Sequence, residues 1–331
     1  MAARRYLPGL AILVFGAMVA RAIEGLGGPN HLLVAIGLGF VLANTVDLPE
    51  SLEPGIATHK LWLGAGIVLL GASLSVDSML AVGAPVLAIV VGVTAVTLLV
   101  VEALARNVFG LADRLSSVLA AGASICGVSA VVAVAGTIRA REEQVAYAAA
   151  TVLLFDAITI VVFPIVGDLL DLSGVVFGIW AGVSMFSTGP VVAVGFAHSE
   201  VAGQWATTTK LARNALIGVV VLAYASYYAR GEPGGQQGGR RSLVLLWRSF
   251  PKFVLGFLAL AALSSLGVFT AGQQASIENA YGWLFLLAFV GLGTEIKLAD
   301  LRQTGSTPAI VVLVALLVAS TLSLAALTVV L

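Results

Sequence analysis

Long apolar runs recur along almost the whole of this 331-residue chain. Of its residues, 60% are hydrophobic and 10% are charged, which is far from the balance of a soluble domain. A hydrocarbon core of roughly 30 Å is crossed by about 20 apolar residues in a helix, and backbone groups inside it must be hydrogen-bonded within the segment. The sequence therefore predicts an all-α polytopic membrane protein.

The apolar runs can be divided into about nine membrane spans and two interrupted elements, giving eleven elements. The first run follows two arginines, as in a signal peptide, but Arg21 and Glu24 interrupt it, so we interpret it as a retained helix. The predicted spans lie at 7–26, 31–46, 61–79, 82–108, 143–166, 205–228, 248–270, 281–299 and 306–331. The interrupted elements lie at about 115–140 and 174–198.

The two interrupted elements are copies of one another. Residues 121–135 read AGASICGVSAVVAVA and residues 181–195 read AGVSMFSTGPVVAVG, with seven of fifteen positions identical and no gap. Small and hydroxyl residues break each copy at its middle, from Ser124 to Gly127 in the first and from Ser187 to Pro190 in the second. Paired broken segments in a membrane protein are typical of the substrate site of a secondary transporter.

A weaker repeat relates the two ends of the chain. The segment Leu70–Leu74 resembles Leu292–Ile296 at a shift of 222 residues, and Gly39-Phe40 resembles Gly256-Phe257. Such internal similarity is common in transporters that are built from inverted repeats. The helices that correspond under this repeat are 31–46 with 248–270, 61–79 with 281–299, and 82–108 with 306–331.

The position of basic residues bears on the shape of the interrupted elements. The glycine-rich stretch 231–239 lies beside a basic cluster, which the positive-inside rule assigns to the cytoplasm. If both elements are re-entrant hairpins, the basic loops can all be cytoplasmic and every repeated pair is antiparallel. If each element instead crosses the membrane, the two copies point the same way. We favour hairpins, whose arms of about 12 residues reach the midplane; crossing broken helices are the alternative.

This reading predicts an inverted-repeat transporter with a core inside a scaffold. The predicted domains are an N-terminal helix at 1–30, a first scaffold repeat at 31–108, a transport core at 115–228, a cytoplasmic linker at 229–247 and a second scaffold repeat at 248–331.

The residues at the interruptions suit an anion. Pro190 fits the first turn of a helix, so the second interruption opens a helix N-terminus, and the first can do the same from the opposite side. Unpaired amide groups and the positive end of the helix dipole attract anions. The alternative is that glycine and serine simply allow close helix packing. The candidate substrate ligands here are Ser124, Cys126, Gly127, Ser129, Ser187, Thr188 and Gly189.

Three further candidates follow the second interruption, and one acid lies between the two. Lys210 and Arg213 share a helix face within an apolar span, so they and Asn214 are predicted anion ligands, unless the two cations snorkel to the interface. Asp156 is the most deeply placed acid. Burial would favour its protonated form and make it a proton carrier, whereas a nearby Arg213 would favour the ionised form and make it a counter-ion.

Composition also argues against several classes of protein. The 17 basic and 17 acidic residues balance, so nothing favours nucleic acid as a partner. One cysteine excludes an internal disulfide, and three scattered histidines form no metal-ligand pattern. The chain has no Walker motif and no paired-acid or histidine-rich site. We expect no enzymatic activity, no catalytic residues, no cofactor and no metal.

Several motifs resemble one family of membrane proteins. They are Gly122–Gly127 with Ala130, Phe177–Gly182, Val191–Ala193, Lys210–Arg213 and Gly291–Thr294. Over nearly its whole length the chain resembles the prokaryotic sulfate exporter family, the YeiH-like transporters. The resemblance implies a multi-pass transporter in the plasma (inner) membrane of a prokaryote, for a sulfate-like or sulfonate anion. Where members usually carry His-Asp/Glu-x-Ala-Gln, this chain has Phe186–Pro190, and Asp156 stands where glycine is usual.

The sequence thus predicts a secondary active transporter, an exporter of a small inorganic or organic anion that works by alternating access. The core would move against the scaffold, with H⁺ or Na⁺ as the coupling ion and Asp156 as the coupling residue. A cation-coupled transporter of another small solute and an ion channel are the alternatives. The expected partners are the anion, the coupling ion and membrane lipid, and the apolar scaffold is compatible with a homodimer.

Overall fold

The computed structural model describes residues 5–73, 76–229, 251–299 and 305–330, which form helices joined by turns. Seven helices in these ranges are long and apolar enough to cross a membrane, judged by length and composition. Their bounds are Leu7–Gly25, Glu53–Ser73, Gly83–Val108, Glu142–Leu169, Glu200–Ala229, Ala271–Thr294 and Ser306–Val330. The predicted all-α fold with several membrane-spanning helices is confirmed.

Two of the nine predicted spans contain shorter helices. The span predicted at 31–46 is a helix of 15 residues, and the span predicted at 248–270 contains one of 13 residues. At 1.5 Å per residue they are roughly 23 and 20 Å long, less than the hydrocarbon thickness. The predicted linker at 229–247 lies, apart from Ala229, outside the described residues.

The helices follow the chain in this order. The first eight are α1 (Leu7–Gly25), α2 (His31–Thr45), α3 (Glu53–Ile56), α4 (His59–Leu70), α5 (Val76–Ala103), α6 (Asp113–Ala121), α7 (Val128–Ile138) and α8 (Glu142–Leu169). The remainder are α9 (Gly174–Ser184), α10 (Thr188–His198), α11 (Glu200–Ala215), α12 (Ile217–Ala229), α13 (Phe253–Ser265), α14 (Ala271–Thr294) and α15 (Ser306–Val330).

Residue contacts divide the chain into two compact units. The first unit consists of Met1–Gly83, Val192–Gln204 and Lys252–Ala299. The second consists of Ala84–Val191, Trp205–Pro251 and Asp300–Leu331. Three helices, α5, α10 and α11, therefore contribute residues to both units.

Polar caps fix where several helices begin. Asn30 precedes α2 and its side-chain oxygen accepts a hydrogen bond from the amide of Leu32, 2.9 Å away. Thr270 precedes α14 and forms a capping box with Gln273, because each side chain accepts from the other residue's backbone amide. These bonds satisfy amide groups that have no partner within the first turn.

In the first unit the helices approach through glycines, and the contacts follow the weak sequence repeat. A side chain on Gly71, at the end of α4, would collide with the carbonyl of Phe257 in α13. A side chain on Gly293 in α14 would approach the amide of Phe40 in α2 to 2.8 Å. The repeat pairs Gly71 with Gly293 and Phe257 with Phe40, but the nearest atom to a side chain on Gly293 is the carbonyl oxygen of Ile36, so the two contacts are similar and are offset by one helical turn.

A second pair of contacts has the same relationship. A side chain on Gly39 would collide with the carbonyl of Val290, and one on Gly256 would meet the side chain of Val68. The repeat pairs Gly39 with Gly256 and Val290 with Val68. The α2–α14 contact therefore corresponds to the α13–α4 contact.

Polar side chains close the ends of the same helices. Asn44, at the end of α2, donates to the carbonyl of Ile296 over 2.8 Å and accepts from the amide of Leu298 over 2.7 Å. Ser264, at the end of α13, donates to the carbonyl of Ala72 over 2.6 Å. Asn44 thus satisfies backbone groups that follow α14, and Ser264 satisfies one that follows α4.

In the second unit the first interrupted element folds back on itself. Its two arms, α6 and α7, pack against each other, and both contact α8. Arg114, near the start of α6, donates to the carbonyl of Arg139 after α7 over 2.9 Å. The outer ends of this element therefore lie side by side, as in a helical hairpin.

The second interrupted element is anchored by α9. Trp180 donates to the hydroxyl of Ser320 in α15 over 3.0 Å, and the hydroxyls of Ser184 and Ser323 are also 3.0 Å apart. These bonds satisfy polar groups between apolar helices and fix α9 against α15. Most of α10 belongs to the first unit, so the hairpin predicted for this element stays a prediction.

Candidate functional site

The first interruption is a glycine between two helices. After α6 the backbone widens into a π-type turn, Gly122–Cys126, and the amide of Gly127 donates back to the carbonyl of Gly122 over 3.0 Å. Gly127 then adopts φ 67° and ψ −137°, a conformation that side chains disfavour, and α7 begins at Val128. The carbonyls before the glycine are therefore left without a following helical turn.

The second interruption is an extended step between α9 and α10. Met185 has φ −71° and ψ 154°, so its carbonyl no longer points along the helix. The next helix, α10, starts at Thr188 and carries Pro190 in its first turn, where a missing amide hydrogen does no harm. Each interruption therefore has a carbonyl end, where one helix stops, and an amide end, where the next begins.

The two interruptions meet. A side chain on Gly127 would collide with the hydroxyl oxygen of Ser187. Both residues belong to the second unit. The glycine therefore serves two purposes, since it permits the turn and leaves room for the other tip.

Arg213 holds the carbonyl ends of both interruptions. Its Nε donates to Ser124 O over 2.7 Å, and its Nη2 donates to Ala123 O over 3.2 Å. Its Nη1 donates to Met185 O over 2.7 Å. The side chain is completely buried. Hydrogen bonds from charged donors contribute about 1.5–3 kcal/mol each, so this residue joins the two elements strongly.

Lys210 repeats the arrangement one helical turn earlier on α11. Its Nζ donates to Ile125 O over 2.8 Å and to Met185 O over 2.9 Å, and its side chain is also completely buried. The carbonyl of Met185 therefore receives both cations. A helix C-terminus is the negative end of the helix dipole, so a cation is favourable there.

The two cations keep some capacity to donate. The bonds to carbonyls use two of the three N–H groups of Lys210 and three of the five of Arg213. Most of their hydrogen bonding is therefore structural. Binding of an anion through the remaining N–H groups stays a prediction.

Asp156 lies at the amide end of the second interruption. It projects from α8, is 2% exposed, and its Oδ1 accepts from the amide of Ser187 over 3.0 Å. A carboxylate at the start of a helix is stabilised by the positive end of the dipole. Its other oxygen, Oδ2, is buried and has no hydrogen-bond partner in the described part of the chain.

Asn214 contacts the neighbouring residue of the same interruption. It follows Arg213 on α11, is 2% exposed, and donates through Nδ2 to the hydroxyl of Thr188 over 3.0 Å. Its Oδ1 is buried and is likewise unpaired among residues 5–73, 76–229, 251–299 and 305–330. Two acceptor oxygens from different helices are thus left unsatisfied beside Ser187 and Thr188.

The remaining predicted ligands differ in their surroundings. The Ser124 hydroxyl donates to the carbonyl of Ala120 within its own helix, and the Cys126 thiol is buried. Gly189 is buried in the first turn of α10. Ser129 is exposed in the first turn of α7. No described contact joins Ser129 or Gly189 to the other predicted ligands. The structure thus brings nine predicted residues together around the interruptions. They are Ser124, Cys126, Gly127, Asp156, Ser187, Thr188, Lys210, Arg213 and Asn214.

Sequence reasoning missed the backbone groups that hold the site together. The carbonyls of Ala123, Ile125 and Met185 bind the two cations, although apolar side chains carry no sign of such a role. The signal that could have indicated them is their position, because the last carbonyls before a helix break always lack an internal partner.

A separate polar cluster lies in the second unit. Glu102 accepts hydrogen bonds from Arg106 and from the hydroxyl of Tyr224, 2.5 and 2.6 Å away. Arg106 also donates to Ser117 over 2.6 Å and to Tyr228 over 3.0 Å. The cluster joins α5, the following π-type turn, α6 and α12. It shares no described hydrogen bond with the residues at the interruptions.

In the first unit, Glu295 follows α14 and is paired with two basic residues. Its Oε1 lies 2.8 Å from Lys60 Nζ and 3.6 Å from His59 Nε2. Burial by itself would raise the pKa of Glu295, but the hydrogen bonds and charges of His59 and Lys60 outweigh burial and lower the pKa to about 2.

The sequence was also compared with known protein families. A family model described as conserved hypothetical protein 698 matches residues 8–312. The chain belongs to this family. Relatives that resemble this chain are named UPF0324 membrane protein.

Three of these relatives cover most of the chain. One from Nitratidesulfovibrio vulgaris is 34% identical over 313 residues, which is 90% of this chain and 86% of the relative. One from Vibrio vulnificus is 35% identical over 299 residues, or 88% and 90% of the two chains. One from Corynebacterium glutamicum is 33% identical over 312 residues, or 92% and 87%. No solved structure matches the chain.

The names of the relatives and the fold both indicate a membrane protein. The relatives are named as membrane proteins, and the described residues contain several helices long and apolar enough to span a bilayer. The chain is therefore a multi-pass membrane protein.

Proposed function

We propose that this protein is a secondary active transporter of a small anion of the sulfate or sulfonate type, working by alternating access. The proposal depends on one observation: two interrupted helices meet at Gly127 and Ser187, and two buried cations hold their carbonyl ends together. The proposed location is the plasma membrane of a prokaryote.

A transport site explains why the helices are broken at all. A break inside a bilayer removes backbone hydrogen bonds and is tolerated where the freed groups are buried in protein or line a water-filled cavity. At these breaks Lys210 and Arg213 satisfy the carbonyl ends. The amide ends, at the starts of α7 and α10, are the groups that transporters present to anionic substrates.

The balance of charge supports an anion as the substrate. Lys210 and Arg213 carry two positive charges, and the neighbouring Asp156 carries at most one negative charge. An unbalanced buried charge costs several kcal/mol, and an anion would remove that cost. The positive N-terminal ends of the α7 and α10 dipoles also favour an anion. The resemblance to sulfate exporters favours an oxyanion.

The inverted-repeat scaffold is part of the proposal. The corresponding contacts at Gly39 and Gly256 support a duplicated architecture in the first unit, and the hydrogen bond from Arg114 to the carbonyl of Arg139 supports a re-entrant first element. We propose that the second element is also a hairpin and that both tips reach the midplane. No covalent chemistry is part of this mechanism.

Counterflow in proteoliposomes tests the function. Vesicles loaded with unlabelled sulfate, methanesulfonate, chloride or acetate are diluted into a trace of labelled sulfate, with protein-free vesicles as the control. We expect saturable uptake that internal sulfate or methanesulfonate accelerates and that chloride and acetate do not. Flux that rises linearly with concentration and shows no counterflow would identify a channel instead. Counterflow driven by chloride and acetate alone would exclude the proposed substrate class.

A further inference from the structure

We infer that the second interruption also binds a monovalent cation, H⁺ or Na⁺, at Asp156 Oδ2 and Asn214 Oδ1, and that it does so together with a dianionic substrate. The inference rests on the proposed function, because the anion is what makes the cation favourable. The two oxygens are the buried acceptors that the described contacts leave unpaired beside Ser187 and Thr188.

Both side chains contact the same backbone turn. Asp156 comes from α8 and uses Oδ1 on the amide of Ser187, whereas Asn214 comes from α11 and uses Nδ2 on the hydroxyl of Thr188. Because Ser187 and Thr188 are consecutive, the two side chains flank the same turn. Each is held by one atom, and each has an oxygen left over.

Unpaired acceptors of this kind need a hydrogen-bond donor or a cation. Leaving a buried polar atom without a partner costs about 1–3 kcal/mol, and native structures rarely tolerate it without a bound water, ion or proton. A carboxylate oxygen and an amide oxygen can only accept, so neither can bind the anion directly. A proton on Asp156 or a sodium ion between oxygens would satisfy them.

The net charge of the occupied site determines with which substrate the cation binds. With Asp156 ionised and Lys210 and Arg213 both protonated, the three groups leave one positive charge in excess. A sulfonate monoanion cancels that excess by itself. A sulfate dianion turns it into one negative charge, which one monovalent cation then cancels. Cation dependence is therefore expected for sulfate and not for a monoanion.

The groups that face Asp156 are few. The charged or titratable residues on the elements packed against α8 near this acid are Lys210 and Arg213 on α11 and Cys126 in the π-type turn. On α6 the titratable residues are Asp113 and Arg114 at its outer end, and the described residues of α7 and α15 carry none. A pH response of sulfate binding is thus expected to come from Asp156 or Lys210, and the Asp156→Asn variant separates the two.

The test is calorimetric titration of the purified full-length protein with sulfate and, separately, with methanesulfonate. The sodium arm compares sodium gluconate with N-methylglucamine gluconate at constant pH, and the proton arm compares pH 6 with pH 8 without sodium. We expect one of the two cations to tighten sulfate binding about tenfold or more, in the range typical of coupled ligands. Methanesulfonate binding is expected to change less than about twofold in the same arms.

Two variants locate the cation site, and one serves as a matched control. Asp156→Asn is expected to abolish the cation dependence of sulfate binding, because the substitution removes the charge that the cation balances. Asn214→Ala is expected to weaken a sodium response at least about fivefold. Asp168→Asn makes the same chemical change at an exposed position of α8 and is expected to behave as the wild type.

The outcomes separate the two proposals. If neither anion binds under any condition, the proposed function fails and the cation site falls with it. If sulfate binds equally well in every cation condition, the function stands and the cation site is wrong. The cation site is also wrong if Asp156→Asn, shown by gel filtration to be folded, keeps the cation dependence of the wild type. An unchanged sodium response in Asn214→Ala removes Asn214 as a ligand.

Discussion

The first interruption, at Gly127, and the second, between Met185 and Thr188, differ in what their backbone groups contact. At the first, Lys210 and Arg213 bind three carbonyls of the carbonyl end, and no side chain caps the amide end among the described contacts. At the second, the carbonyl end is shared by the same two cations, and side chains from two helices occupy the amide end.

The difference suggests separate tasks for two copies of one element. The carbonyl ends act as a fixed joint, since five hydrogen bonds from two charged side chains hold them. The amide end of the second copy keeps unsatisfied oxygens, which is where a ligand can change the energy most. The following predictions challenge this contrast, from the largest expected effect to the smallest.

Removing the joint should have the largest effect. Arg213→Ala leaves the carbonyls of Ala123 and Ser124 buried without a donor, so we expect the free energy of unfolding to fall by at least about 3 kcal/mol. Denaturant unfolding in detergent micelles measures the change. Arg213→Lys keeps the charge and should lose less. A loss below about 1 kcal/mol in the alanine variant would mean that the carbonyls are not held as described.

Filling the space between the tips should have the next largest effect. Gly127→Ala places a side chain at positive φ and against Ser187, so we expect a loss of at least about 2 kcal/mol and slower anion exchange. Gly136→Ala on α7 is the control, because a side chain there meets nothing and should stabilise the helix by up to about 1 kcal/mol. Equal effects of the two substitutions would contradict contact between the tips.

A single contact at the amide end of the second interruption should matter less to stability. Thr188→Val removes the acceptor of the Asn214 amide, so we expect a loss of about 1 kcal/mol in unfolding together with weaker anion binding. Thr188→Ser keeps the hydroxyl and should restore both. If Thr188→Val lowers the free energy of unfolding as much as Arg213→Ala does, the carbonyl ends and the amide end do not differ in their structural role.

Substitution of Glu295 should have the smallest effect on anion binding, and it separates acid stability from the chemistry of the site. Because its folded pKa is lowered to about 2, its contribution is present above the unfolded pKa of about 4.5 and is lost as the pH falls through about 2. Glu295→Gln should therefore lower the melting temperature by a constant amount above about pH 6, and the difference from the wild type should disappear as the pH falls through about 2. A difference from the wild type that varies with pH above pH 6 would mean that Glu295 contributes to pH responses near neutrality.

Much of the fold could be predicted from local sequence. Apolar length indicates the helices, and the Ser-Ile-Cys-Gly and Ser-Thr-Gly-Pro stretches indicate where α6–α7 and α9–α10 are interrupted. The exception is span length, since the spans predicted at 31–46 and 248–270 contain helices of only 15 and 13 residues. Hydropathy measures transfer into lipid and says nothing of where backbone hydrogen bonding stops.

The site could be predicted only in part. Lys210, Arg213, Asp156 and Asn214 stand out because polar groups in apolar helices require partners. The identity of those partners could not be read from residue types, because the cations bind backbone carbonyls and Asp156 binds the amide of Ser187, 31 positions away.

The sequence by itself determined that this chain is a helical membrane protein with one broken element used twice, because apolar length and helix-breaking residues act locally. The tertiary structure decided that the copies meet, that Lys210 and Arg213 close their carbonyl ends, and that Asp156 and Asn214 reach the second tip. Those contacts join segments that are distant along the chain. Their energy depends on which groups burial leaves without water, and burial is fixed only when the helices pack.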